Sequence, residues 1–158
     1  MEENVALLHE DLILMDYGAN NKEELLRGLG TILREKGYVK ETYIDGLLER
    51  EETFPTGLNT PGVSVAIPHT YAIHVEKPAI LVAKLKKPVV FKEMGSGEND
   101  VEAKLIFMLA IKNPDQQVIT LSKLMSIFSK EETLLEIYNA KEKHDIYLTI
   151  KNVLEKDN

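Results

Sequence analysis

His69 closes the segment Ala66-Ile67-Pro68-His69-Thr70, and its surroundings suit it to nucleophilic chemistry. Upstream lie Arg50, toward the end of a helix-like stretch, and the turn Phe54-Pro55-Thr56-Gly57-Leu58. These residue types match what an acceptor of a phosphoryl group needs. Imidazole, with an ordinary pKa of about 6.5, is mostly neutral near pH 7 and offers a lone pair. One ring nitrogen must be held in a hydrogen bond so that the other faces the donor. Pro68 stiffens the backbone beneath the ring by fixing its own φ and keeping Ile67 extended. The group in transit spreads its charge over three oxygens and needs fixed donors. Arg50 can present a planar fork, Thr56 a hydroxyl and Gly57 a closely approaching backbone N–H. Singly these residues say little. A lone histidine is more often a surface or core residue, Thr-Gly an ordinary turn, and an arginine at a helix end a partner for the dipole. Their combination carries the reading.

A strand end puts a side chain at the rim of a sheet, where open α/β folds hold ligands, so the flanking elements decide the geometry. Leu12 to Met15 reads as a short buried strand ended by Asp16 and Gly18. Asn21 and Glu24 have capping-box spacing before a helix with Leu25, Leu29, Ile32 and Leu33, and Gly37 sits where a left-handed residue would end it. A second helix is expected from about Lys40 to Glu52, with Tyr43, Ile44, Leu47 and Leu48 inward. Residues 53–62 hold Pro55, Gly57, Asn59, Pro61 and Gly62 and read as a loop. A strand over Val63 to Ile67 follows, halted by Pro68. Ala79 to Leu85 is a second strand, and Val89-Val90-Phe91, after Pro88, reads as a short edge strand.

Leu105 to Ile111 is apolar throughout, as a central strand covered on both faces would be. Asn113-Pro114 opens a helix with the stripe Val118, Leu121, Leu124, Met125 and Phe128. Ser129 and Glu132 repeat the capping-box spacing before Leu134, Leu135 and Tyr138, and a last helix from about Lys143 carries Ile146, Ile150 and Val153. The expected architecture is α/β: a single domain over 1–158, with a mixed, mostly parallel β-sheet flanked by helices on both sides.

Composition narrows the chemistry. The chain has no cysteine, which excludes a disulfide framework, a thiolate zinc site and a cysteine nucleophile. A net charge of −7 argues against nucleic acid, and Lys84, Lys86 and Lys87 read as a solvated strand end. The acidic N-terminal stretch lacks a basic signal region, and no run approaches the ~18 apolar residues of a span, so a cytoplasmic protein without membrane insertion is expected. Gly95-Ser96-Gly97 has no following lysine, and HExxH and aspartate-rich loops are missing. Neither metal nor cofactor is expected. Asp100 and Glu102 pair in sequence only.

Taken together, Arg50-Glu51-Glu52, Pro55-Thr56-Gly57-Leu58 and Val65-Ala66-Ile67-Pro68-His69-Thr70 resemble the enzyme IIA component of the bacterial sugar phosphotransferase system (PTS). The likeness is to the fructose/mannitol-type superfamily, most of all its galactitol-type branch, and extends over nearly the whole chain. It implies a phosphotransferase in which His69 accepts phosphate from phosphorylated HPr and passes it to a cysteine of enzyme IIB. The sugar is phosphorylated later, during transport through the membrane enzyme IIC. Arg50 would stabilise the phosphate, with Thr56 and Gly57 in the supporting loop. Mannitol- and fructose-type members carry a second histidine where this chain has Gln117, a weaker candidate that cannot hold charge. His74 is a further candidate near the site, whereas His9 and His144 read as surface residues. Phe54, Leu58 and Tyr71 could form a docking patch. A regulatory enzyme IIA of the nitrogen type, or a non-catalytic interaction module on the same fold, are the competing readings.

Overall fold

Residues 105–111 contain no polar side chain, and a strand with no polar face has to be covered twice. The structure, a computed structural model, describes residues 7–155. In it, β5 (Asp100–Ala110) is the middle of a five-stranded sheet ordered β1-β4-β5-β3-β2. The other strands are β1 (Leu8–Tyr17), β2 (Gly57–Leu58), β3 (Val65–Ala66) and β4 (Ala79–Lys92). β1 runs parallel to β4 and β3 parallel to β5, while β4 pairs with β5 and β2 with β3 antiparallel.

Ile106, Met108 and Ala110 face one core with α1 (Lys22–Glu35) and α2 (Tyr43–Thr53), packing among Leu25, Leu29, Tyr43 and Leu47. Leu105, Phe107 and Leu109 face the other, under α3 (Pro114–Phe128), α4 (Glu131–Asn139) and α5 (Lys143–Glu155). The result is the mixed sheet with helices on both faces that the sequence predicts. Each fully buried aliphatic or aromatic side chain of β5 contributes roughly 1.5–3 kcal/mol, so this strand is a stiff base for the rim.

Local details differ from the sequence expectations for identifiable reasons. The first helix is capped as expected, with Asn21 Oδ1 accepting from the Glu24 N–H at 2.8 Å and Gly37 at φ +86°. The second begins at Tyr43 rather than near Lys40, because the chain first makes a tight turn in which the Tyr43 N–H donates to Lys40 O. β2 lies inside the expected loop, and β3 is shorter than expected. β1 is longer than Leu12 to Met15 and runs through Asp16, which takes a left-handed φ of 53°.

Val89 to Phe91 is no separate edge strand. It continues β4 past a register shift that accommodates Pro88, and it pairs with β5 from Ala103 to Val101. α3 buries Thr120, Leu124, Ile127 and Phe128, while Val118 and Met125 turn outward. Ser129 caps the end of α3 and donates to Ser126 O, so the second capping box does not form. Lys130 opens α4 without a side-chain cap.

Candidate functional site

β3 ends at Ala66, but its hydrogen bonding carries on. The Ile67 N–H donates to Thr56 O at 3.2 Å, and Pro68 O accepts from the Leu109 N–H of β5 at 3.0 Å. With both neighbours fixed and Pro68 holding Ile67 extended, the Ile67 carbonyl is aimed at the histidine two residues on. His69 Nδ1 lies 2.8 Å from that oxygen. A carbonyl only accepts, so Nδ1 carries the proton and Nε2 the lone pair.

Nε2 has no hydrogen-bond partner among the described residues, and it is not one of the sealed, unpartnered atoms there, which are Arg50 Nε, Thr70 Oγ1 and Thr120 Oγ1. With the residue 7% exposed, the ring body is packed and its Nε2 edge meets solvent. Burial depresses the imidazole pKa below its ordinary value. The Arg50 charge pushes the same way, against the Ile67 hydrogen bond. The ring is therefore neutral at pH 7.

Arg50 lies in the last turn of α2, half-buried and without a carboxylate within ion-pair distance among the described residues. Its guanidinium carbon stands 4.4 Å from the Phe54 ring centre and 5.4 Å from that of Tyr71. Aromatic faces hold the cation in place and leave its charge uncompensated.

The buried side of α2 carries Tyr43, Leu47 and Glu51 at successive four-residue steps, one helix face. Tyr43 Oη donates to Leu109 O at 2.8 Å, using the carbonyl of the residue whose N–H holds Pro68. Glu51, only 2% exposed, accepts the Thr56 N–H on Oε2 and the Thr56 hydroxyl on Oε1, both at 2.8 Å. Burial raises its pKa. The two Thr56 bonds and the charges of Lys22 and Arg50 work against that rise.

These contacts redefine the supporting loop. The Thr56 hydroxyl donates to Glu51 and does not face outward to a phosphate. Gly57 lies in the sheet, with its carbonyl accepting from the Met94 N–H, and an added Cβ would sit 2.7 Å from Lys92 O. Close approach of the β4–β5 hairpin explains the glycine.

His74 ends a short 3₁₀ turn (Ala72–His74), with Nδ1 2.8 Å from Thr42 Oγ1 and its ring edge against Gly46. It shares with Arg50 a cleft of about 270 Å³ that is also lined by Gly46, Glu49, Thr53, Phe54 and Tyr71. His69 does not line this cleft but leads into its Tyr71 wall through Thr70. Gln117, in the first turn of α3, is half-buried, makes no side-chain hydrogen bond among the described residues and is not part of the cleft. Phe54 and Tyr71 are exposed, whereas Leu58 packs into the second core. His144 pairs with Glu10 at the surface, and half-buried His9 packs against Tyr38.

Glu51 stands in a motif that carries the family resemblance but was given no role from sequence, and Gly46 was not singled out, although both carried a signal. Glu51 follows Tyr43 and Leu47 on the inward face, and a glycine inside a helix marks a close approach.

This architecture recurs in solved proteins. A chain from the Escherichia coli complex of enzyme IIAMTL and phosphorylated enzyme IIBMTL shares it with a TM-score of 0.75 at 24% identity, over 92% of this chain and 99% of that one. The sheet and its flanking helices thus have the enzyme IIA fold. The chain belongs to the family described as "Phosphoenolpyruvate-dependent sugar phosphotransferase system, EIIA 2", whose model matches residues 6–153. Among its relatives, the galactitol-specific EIIA component of E. coli strain K12 is 34% identical over 70% of this chain and 71% of its own length. The mannitol-specific enzyme IIA component of Bacillus subtilis is 30% identical over 93% of this chain and 98% of its own.

Proposed function

We propose that this protein is a cytoplasmic phosphocarrier that takes a phosphoryl group from phosphorylated HPr onto Nε2 of His69 and delivers it to a cysteine of a cognate enzyme IIB, upstream of an enzyme IIC. The observation that carries this reading is the imidazole pinned through Nδ1 to the Ile67 carbonyl with Nε2 left without a partner among the described residues. In the uptake step the Nε2 lone pair forms the bond to phosphorus as the P–N bond of the donor breaks and its electron pair returns to the donor ring. The Ile67 carbonyl stabilises the positive charge that the ring acquires, and Arg50 offsets the charge on the phosphoryl oxygens. In delivery a thiolate of enzyme IIB forms the S–P bond, and the N–P pair returns to Nε2.

Membership of the EIIA 2 family supports this chemistry, and the galactitol-specific relative supports a galactitol-like sugar. Transport is favoured over signalling because two relatives at least 30% identical, matched over 70% or more of both lengths, are named for the sugars galactitol and mannitol. With phosphoenolpyruvate, enzyme I and HPr, the wild type should gain acid-labile, base-stable label. His69→Ala should gain none while keeping its circular dichroism spectrum. Label retained by that variant would remove the assignment.

A further inference from the structure

Two hydrogen-bonded clamps tie α2 to the segment that carries His69. At its start, Tyr43 Oη and Pro68 O meet on the backbone of Leu109. At its end, Glu51 grips Thr56 through both carboxylate oxygens, Thr56 O takes the Ile67 N–H, and Ile67 O takes His69 Nδ1. The clamps are eight residues apart along the helix, about 12 Å at 1.5 Å per residue. Arg50, next to Glu51, rides on the second.

A carboxylate 2% exposed with no cation in ion-pair distance among the described residues is costly to hold, so its retention calls for a task that an apolar side chain cannot perform. Thr56 supplies that task, because it presents two donors to the same side and a carboxylate can accept both. Every link between Glu51 and the imidazole is a defined hydrogen bond, and the last one selects the tautomer.

We propose that Glu51 is a positioning residue for His69: its buried carboxylate fixes Thr56, and through Thr56 and Ile67 it keeps the proton on Nδ1 and the lone pair on Nε2, the edge that meets solvent. The kinetic consequence rests on the phosphocarrier reading; the tautomer consequence does not. Proton–nitrogen correlation spectra of the His69 ring therefore come first. The wild type should show a single Nδ1–H tautomer. Glu51→Ala should show a mixture nearer that of free imidazole and, with HPr as donor, a kcat lower by at least about tenfold with KM changed less than about twofold, as loss of orientation predicts. Glu51→Gln should restore the tautomer and most of kcat, since an amide can accept the Thr56 N–H and donate to its hydroxyl oxygen.

A purely architectural glutamate would lower the melting temperature of Glu51→Ala and leave the ring nitrogens unmoved; that result overturns the proposal. If Glu51→Ala does not fold, Thr56→Val removes one of the two links and should move the tautomer in the same direction, and a wild-type ring there overturns the proposal equally. A tautomer that collapses in Glu51→Ala, in a protein whose wild type takes no label, would uphold the positioning role and discard the phosphocarrier reading.

Discussion

His69 is held neutral chiefly by being packed, and the linkage that follows has a definite sign. Its folded pKa lies below the ordinary 6.5 that the unfolded chain would show. Between those values the unfolded chain binds a proton that the folded chain does not. The contribution to stability is therefore complete above about pH 6.5 and is lost as pH falls through the folded value. Phosphoryl uptake, which needs the free lone pair, should persist below pH 6.5 before its acid limb begins. Arg50→Gln should raise the His69 pKa in an NMR titration, because a cation that disfavours the imidazolium is gone. It should also slow uptake by roughly a hundredfold to a thousandfold, as loss of one oxyanion donor does. An unmoved pKa would mean that the guanidinium acts elsewhere. His69 and Arg50 were legible in the sequence because each sits in a pattern that restricts its neighbours. Glu51 was not, because a glutamate in a charged run looks solvated until the face of its helix is known. Thr56 was legible as part of the loop, yet its hydroxyl turns inward, and residue type alone could not reveal that.

Two glycines show how elements set the site, and they should respond to the same change in opposite ways. At Gly57 an added Cβ would meet Lys92 O at 2.7 Å and the Cβ atoms of Phe91 and Val101 at 3.1 Å, all on the β4–β5 hairpin. None of these can swing aside, so Gly57→Ala should destabilise by about 1–3 kcal/mol, seen as a lower urea midpoint. At Gly46 the obstacles are side chains: the His74 ring on the cleft wall, with Nε2 at 2.7 Å, and the Thr70 hydroxyl at 3.2 Å, which has to give by only a few tenths of an ångström. A helix-interior alanine is favoured over glycine by about 1 kcal/mol, so Gly46→Ala should leave the urea midpoint nearly unchanged and be read instead as a displaced His74 ring resonance. Elements themselves were legible wherever periodicity had one solution, as in α1. α3 has apolar residues around most of its circumference, so spacing could not choose the stripe. Val118 and Met125 ended up outside because Thr120 and Ile127 packed on the sheet.

Across the whole molecule, the sheet brings the end of α2 to the rim where β3 stops, and three large apolar side chains stand in water near that junction. Phe54, Tyr71 and Ile73 are all exposed, with Ile73 at 71% on the 3₁₀ turn that also carries His74. On the phosphocarrier reading, a ring only 7% exposed would require a protein donor to lie close against this rim to reach Nε2. Apolar side chains left in water beside a recessed imidazole fit that demand, since covering them would drive an encounter complex together without touching the ring. Ile73→Glu should therefore raise KM for phosphorylated HPr several-fold while kcat at saturating donor and the urea midpoint stay at wild-type values, because the side chain supports neither the core nor the imidazole. Steady-state kinetics over a range of donor concentrations separate the two terms, and a fall in kcat at constant KM would move the docking surface away from this turn.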